Sequence, residues 1–162
     1  GPVERVIQEG DMGISDSGPS YSGYQRDFQG TFYVGDPPQK ELDLNKMAVE
    51  AEQATIDALK PGVTVGEAFD VSRNALQKMD PMQDHIINFV GHSMGFANHE
   101  PPWIIENEPT VVQEGMVFCV EVGAWDLEMQ LVGAMPEDII LVTKNGNENL
   151  TGDFPRELWV AK

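Results

Sequence analysis

Hydrophobic and polar positions change their period twice along this chain. Residues 3–35 carry β-type signals. VERVIQEGD ends in a Gly-Asp turn, MGISDSG reads as a short strand and GYQRDFQGTFYVG as a second. Between the two strands, SGPSYSG is rich in turn residues and predicts a hairpin. On this reading Asp16 ends one strand and Asp27 lies within its partner. GDPPQKE then breaks the strand. Leu44, Met47, Ala48, Ala51, Ala54 and Ala58 fall near helical spacing and predict a helix from about Gln39 to Leu59. Lys60-Pro61-Gly62 stops it. Thr64-Val65-Gly66-Glu67 fits a capping box, in which Thr64 and Glu67 satisfy each other's free backbone amides. It opens a second helix to about Lys78, with Val65, Ala68, Ala75, Leu76 and Met79 as the buried stripe and Asp80-Pro81 as the stop.

From Ile86 onward the period returns to two. INFVGH is a short apolar strand, and a loop rich in His, Gly and Pro follows it. Gln113-Glu114-Gly115 turns into MVFCVEVGAW, LEMQLVGAMPEDIILVT predicts two more strands, and NGNENLTG reads as a polar turn. The order β-β-α-α-β-β-β predicts an α+β domain with a mostly antiparallel sheet backed by helices. A length of 162 residues suits one such domain.

The alternation also sorts side chains by face. In MVFCVEVGAW, Cys119, Glu121 and Gly123 share one face, while Phe118, Val120 and Val122 share the other. Glu121 is therefore a carboxylate in the middle of a strongly apolar strand. Asp27, between Tyr24 and Phe28, poses the same problem, as does Glu137 ahead of the apolar run IILV. An isolated buried carboxylate is costly unless paired or bound to a metal. Basic partners are few, since Asp and Glu number 27 against 10 Lys and Arg, a formal charge of −17. That balance makes nucleic acid and anionic membrane surfaces poor partners. Hard divalent cations bind carboxylate oxygens, and a His nitrogen adds affinity for Mn, Co, Fe or Zn. A single cysteine, Cys119, excludes an internal disulfide. No apolar run approaches the roughly 18 residues that span a bilayer. No signal-peptide pattern opens the sequence, and a cytoplasmic location is the expectation.

Five stretches then occur in a fixed order: GDMGISDSGPSYSGYQRDFQGTF, AVEAEQATIDALKPGVTVGEAF, GHSMGFANHEPP, EGMVFCVEVGAW and MPEDIILVT. This ordered set resembles the C-terminal catalytic part of the pita-bread metallopeptidase family. That family includes aminopeptidase P, Xaa-Pro dipeptidase and methionine aminopeptidase, with creatinase sharing the fold. The resemblance implies a partial pita-bread fold, a curved and mostly antiparallel sheet backed by two helices. It implies a dinuclear hydrolase that uses two divalent metal ions, Mn first and Co, Fe or Zn as alternatives, to activate a water and cleave a peptide bond. Asp16 would chelate one metal and Asp27 would bridge. His92 and Glu121 would bind the other metal, with Glu137 as the second bridge. Glu121 would also accept a proton from the water, and His99 would contact substrate and stabilise the tetrahedral intermediate.

Several positions depart from the family's pattern. After Asp27 the family reads T-R-T, where this chain has Phe28-Gln29-Gly30-Thr31 and lacks the Arg, and E-P-G is here Glu121-Val122-Gly123. Met135 stands where aminopeptidase P and prolidase carry an Arg near the site. Asp16 also arrives early, after a Gly1-Pro2 start, so residues 1–162 are expected to be the C-terminal portion of a metallopeptidase catalytic domain, a fragment of a longer chain. Such a fragment could pair as a homodimer to cover its exposed core, and could be inactive alone. The departures keep open a metal-dependent lyase or amidohydrolase of the same fold acting on a small organic molecule, dimethylsulfoniopropionate lyase being one example, and a non-catalytic relative. Outside the main motifs, His85 is expected at the surface, Cys119 packed in its strand, and Trp103 as a loop anchor or pocket wall.

Overall fold

The computed structural model describes residues 4–80, 88–125 and 133–162. Strand β1 (Met12–Ser17) pairs antiparallel with β4 (Phe28–Val34), and between them β2 (Ser20–Tyr21) and β3 (Tyr24–Gln25) form a small hairpin of their own. The predicted hairpin is present with one correction. Asp27 does not lie within the partner strand but immediately precedes β4, and Asp16 sits opposite Gln29. The short β2–β3 ladder takes up the turn residues and displaces the start of β4.

Helices α1 (Gln39–Ala58) and α2 (Val65–Met79) follow the predicted bounds closely. The capping box opens α2: Glu67 N–H donates to Thr64 Oγ1 at 3.2 Å, and Thr64 N–H to Glu67 Oε2 at 2.6 Å. The buried faces are less apolar than the periodicity suggested. In α1, Asn45, Glu52 and Thr55 lie buried beside Leu44, Ala48, Ala51 and Ile56. In α2, Phe69 joins the buried face, whereas Met79 is exposed. At its C-terminal end α1 finds partners for carbonyls that no helical amide can reach. Asn147 Nδ2 donates to the carbonyls of Ile56 and Leu59.

The second half builds a five-stranded antiparallel sheet in the order β6-β5-β7-β8-β9. Its strands are β5 (Gly91–Ser93), β6 (Glu100–Trp103), β7 (Val117–Glu121), β8 (Glu137–Thr143) and β9 (Gly146–Asn149). Two segments expected as loop or turn are strands here. The Glu-Pro-Pro-Trp run is β6, and the Gly-Asn-Glu-Asn run is β9, paired to β8 from Thr143↔Gly146 onward. The fragment LEMQLV and His85 lie outside the described residues. A final strand, β10 (Trp159–Ala161), returns to pair parallel with β4, so the small sheet has the order β1-β4-β10.

Period two decides what this sheet covers. Phe118, Val120, Ile140 and Val142 face the helices and join Leu44, Ala48, Val65, Phe69 and Leu76 in the main core. Full burial of an aromatic such as Phe118 or Phe69 contributes on the order of 1.5–3 kcal/mol. The opposite face holds only a small apolar cluster of Met94, Cys119 and Ile139. That face belongs to the site.

Candidate metal centre

Strand register brings the ligands together before any side chain is considered. His92 in β5 is opposite Cys119 in β7, and two residues along, Glu121 is opposite Glu137 in β8. Side chains two apart on a strand, and cross-strand partners, share a face. His92, Cys119, Glu121 and Glu137 therefore all face away from the helices. Like charges directly opposite on a sheet destabilise it, so the Glu121–Glu137 pair needs a positive charge. Across from this face, the small sheet supplies Asp27, Gln29 and Asp16.

His92 is fully buried between carboxylates. Its Nδ1 lies 2.9 Å from the Ser93 carbonyl, which can only accept, so Nδ1 carries the proton. Nε2 is then left with a lone pair. It lies 3.6 Å from Asp27 Oδ2 and 3.6 Å from Glu121 Oε1, and has no hydrogen-bond partner. Burial pushes the imidazole pKa down to about 4, so it meets these carboxylates neutral. A neutral, buried, oriented nitrogen between two carboxylate oxygens is the donor arrangement of a metal-ligating histidine. Gly91 permits this placement: its φ is +143°, and a side chain there would run into the Cys119 carbonyl. A register irregularity between His92 and Ser93 further re-aims the strand.

Burial and mutual repulsion hold the carboxyls of the site above their usual range. Burial pushes Glu137 up to about 9, with the charges of Asp27 and Glu121 adding to it. Burial, then the charge of Asp27, push Glu121 up to about 7, while the hydrogen bond from Gln29 acts the other way. Asp27 is raised by burial and then by Asp16, with His99 opposing. Among the described residues, none of the charges that shift these three groups belongs to Lys or Arg. Arg26, adjacent to Asp27 in sequence, instead lies over the rings of Phe28 and Phe154. Donor atoms of Asp27, His92, Cys119 and Glu137 lie within 4.8 Å of one another, as do those of His92, His99 and Glu121. The residues present thus fit divalent metal.

Each expected site residue has a definite place. Asp27, His92, Glu121 and Glu137 converge. Asp16 is exposed on β1 and stands outside both tight donor groups, although its charge is felt by Asp27, Glu121 and Glu137. His99 is half-exposed on the open side, with Nε2 3.1 Å from Asp27 Oδ2 and its ring T-shaped against His92 at 4.0 Å. Trp103, paired with His92 across β5 and β6, is half-buried with its ring about equally near both imidazoles, at 6.0 and 6.2 Å. It is a wall of the site. Cys119 contributes a sulfur to the donor group, yet burial raises its thiol well above the usual range and it donates to Met94 Sδ at 3.2 Å. In the metal-free site it lines the centre as a thiol.

Two functional side chains escaped the sequence reading. Gln29 Nε2 donates to Glu121 Oε2 at 2.9 Å, and Asn98 Nδ2 donates to Asp27 Oδ2 at 2.8 Å. Gln29 had a usable signal, because the predicted strand GYQRDFQGTFYVG sets it two residues from Asp27 and so on the same face. Asn98 had none, since its contact spans 71 residues of sequence. The missing Arg after Asp27 also has an explanation: Gly30 lies directly beneath the Trp159 ring, leaving no room for a side chain.

Comparison with known proteins relates the chain to metallopeptidases. A sequence model of metallopeptidase family M24 matches residues 1–144. The Xaa-Pro dipeptidase of Pyrococcus furiosus is 33% identical over 148 residues, covering 91% of this chain and 42% of that protein. The Xaa-Pro dipeptidase of Lactobacillus helveticus is 32% identical, over 93% of this chain and 40% of that protein. Among solved structures, dipeptidase PepE from Mycobacterium ulcerans superposes with a TM-score of 0.87 at 31% identity, over 98% of this chain and 42% of that one. The prolidase from Pyrococcus furiosus gives a TM-score of 0.86 at 32% identity, over 94% and 44%. The chain spans about two fifths of the length of these relatives.

Proposed function

The chain belongs to metallopeptidase family M24, and from that premise we propose that it carries the ligand set of a dinuclear centre that hydrolyses peptide bonds of the Xaa-Pro type. The single observation behind the metal reading is His92 Nε2, a buried lone pair without a partner between Asp27 and Glu121. Asp16, Asp27, His92, Glu121 and Glu137 would hold two divalent cations, Mn first, with Co, Fe or Zn as alternatives. When bound, such cations supply a water of lowered pKa and polarise the carbonyl under attack.

The chain's own residues do the rest. Gln29 holds Glu121 Oε2, which leaves Oε1 turned toward the site as the atom that takes up a proton. His99, half-exposed on the open side with its Nε2 3.1 Å from Asp27 Oδ2, is the group that would donate an imidazole N–H to the negative charge developing on a substrate carbonyl oxygen. Trp103 and the His99 ring form an aromatic wall on the same side and keep water from part of the opening. Dipeptidase relatives named above support the Xaa-Pro class. The lyase and amidohydrolase readings gain no support from them.

Titrating the purified protein with Mn²⁺ by calorimetry tests the centre. Two equivalents are expected for wild type, and no binding would sink the metal reading. Hydrolysis of Xaa-Pro dipeptides against Xaa-Ala dipeptides by the full-length protein tests the substrate class. Equal turnover of both would remove the Xaa-Pro assignment while leaving the peptidase intact.

A further inference from the structure

The metal ligands come from two sheets that share no strand. Asp16 and Asp27 belong to the β1-β4-β10 side, while His92, Glu121 and Glu137 belong to the five-stranded sheet. Ligand distances in a metal site must hold to within about 0.2 Å, so something must fix one sheet against the other. Part of the tie is direct, since Met135 N–H donates to Thr31 Oγ1 at 2.8 Å. Gln25 N–H also donates to the Gly95 carbonyl at 2.8 Å and Gln29 Nε2 to Glu121 Oε2 at 2.9 Å, and a further tie comes from residues 151–161, beyond the stretch matched by the family model.

This segment grips both sheets. On one side, Trp159 of β10 pairs with Phe32 of β4 and lays its ring over Gly30, and Phe154 packs on Phe28 with centroids 4.6 Å apart. Between these anchors Arg156 turns inward to the other sheet, with Nη2 2.5 Å from Asp138 Oδ2. Asp138 is next to the ligand Glu137 on β8, and its side chain points to the opposite face. Thr151 Oγ1 donates to the other oxygen of Asp138 at 2.6 Å, so that carboxylate is held at both ends by the same segment. The remaining guanidinium nitrogens reach α1: Nη1 donates to Gln53 Oε1 at 2.9 Å, and Nε lies 3.8 Å from Oε2 of the fully buried Glu52.

We propose that Arg156 is a positioning residue of the metal centre, clamping β8 and its ligand Glu137 to the sheet that carries Asp16 and Asp27. The inference rests on reading the site as a metal centre. Arg156 touches no ligand and no substrate position. It acts through Asp138, whose backbone is continuous with that of Glu137. A planar fork with donors in three directions suits this task, where a lysine would offer one point charge on a flexible stem.

The test compares Arg156→Gln, Arg156→Lys and Phe154→Ala in the purified protein, each well below its melting temperature. Two quantities are read: Mn²⁺ affinity by calorimetry, and exchange of the Met135 amide hydrogen, which reports the bond between the sheets without any metal. Arg156→Gln should weaken Mn²⁺ binding by roughly tenfold or more, the scale seen when partners of metal ligands are removed, and should speed Met135 exchange. Arg156→Lys should fall between it and wild type. Phe154→Ala, which loosens the grip on β4 and keeps the link to β8, should speed Met135 exchange and weaken Mn²⁺ binding by less than Arg156→Gln does. Loss of stability in Arg156→Gln with affinity and Met135 exchange unchanged would overturn the proposal, leaving Arg156 a structural ion pair. If wild type binds no Mn²⁺ while Arg156→Gln still speeds Met135 exchange, the clamp stands and the metal reading falls.

Discussion

Glu137 and Asp138 are neighbours on β8, both nearly inaccessible to solvent, yet they live in opposite kinds of surroundings. Asp138 faces the helices and meets Arg156, a threonine hydroxyl and a fully buried Glu52. Glu52 is held well above the usual carboxyl range by burial and then by Asp138, with Arg156 opposing. That cluster supplies its own positive charge, with one guanidinium set against two carboxyls and both Glu52 oxygens left without a hydrogen bond. Glu137 faces Glu121, Asp27 and a neutral imidazole, and the charges of Asp27, Glu121 and Asp16 that act on it are all carboxylates. A buried acid is structural where the fold provides its cation and functional where the cation must come from outside. The difference is not in the residue but in what the next layer brings to it.

The comparison can be broken most sharply by deleting one acid from each side. Asp27→Ala should abolish Mn²⁺ binding and peptidase activity. The metal-free protein should melt no lower at pH 8, because the lost charge is one that disfavours ionised Glu121 and Glu137. Asp138→Ala should instead cost about 3–5 kcal/mol of stability in denaturant unfolding by stripping Arg156 of its partner, and should weaken Mn²⁺ binding without abolishing it. A large drop in stability for Asp27→Ala would mean that the site is a structural network after all.

pH sharpens the same contrast at a smaller scale. A carboxyl whose pKa is raised by folding favours the folded state while it stays protonated. That contribution is whole below the ordinary value of 4.5 and is lost as pH climbs through the folded value. For Glu121 and Glu137 the loss runs from about pH 4.5 up through about 7 and about 9. Metal-free protein should therefore lose on the order of a few kcal/mol between pH 5 and 9, followed by calorimetric melting. Saturating Mn²⁺ should flatten the curve; a metal-free protein whose stability rises over that range would contradict the shifts.

The smallest expected effect lies at the edge of the site. Gln29→Leu keeps the volume of the buried side chain but removes the donor to Glu121 Oε2. Mn²⁺ affinity should fall by roughly tenfold, as for other partners of ligating carboxylates, with the number of bound ions unchanged. Unaltered affinity would show that Glu121 is oriented by its strand alone.

Much of this was legible along the chain because it is local. The capping box at Thr64–Glu67, the helix bounds and the two faces of β7 follow from spacing alone, and the structure has all three. Asp27, Glu121 and Glu137 were legible as candidate ligands because charge in an apolar strand is costly wherever the strand goes, and His92 by its motif. Misreadings share a cause in tertiary pairing. Nothing local in Gly146–Asn149 or in Glu100–Trp103 favours a strand, and each becomes one by completing a ladder begun elsewhere. The polar stripe of α1 was read as apolar for the same reason, since Asn45 and Glu52 are buried against the C-terminal segment more than a hundred residues away.

The sequence by itself determined which residues could hold a metal: it sets carboxylates and a histidine on strand faces, where period two fixes their direction. Only the tertiary structure decided which of them have a partner. Sheet register put Glu121 opposite Glu137, a 92-residue contact gave Glu121 its amide from Gln29, and the returning C-terminal segment gave Asp138 an arginine that Glu137 lacks. Direction is a local property of the backbone, whereas compensation of charge depends on distance in space, and distance is set by the fold.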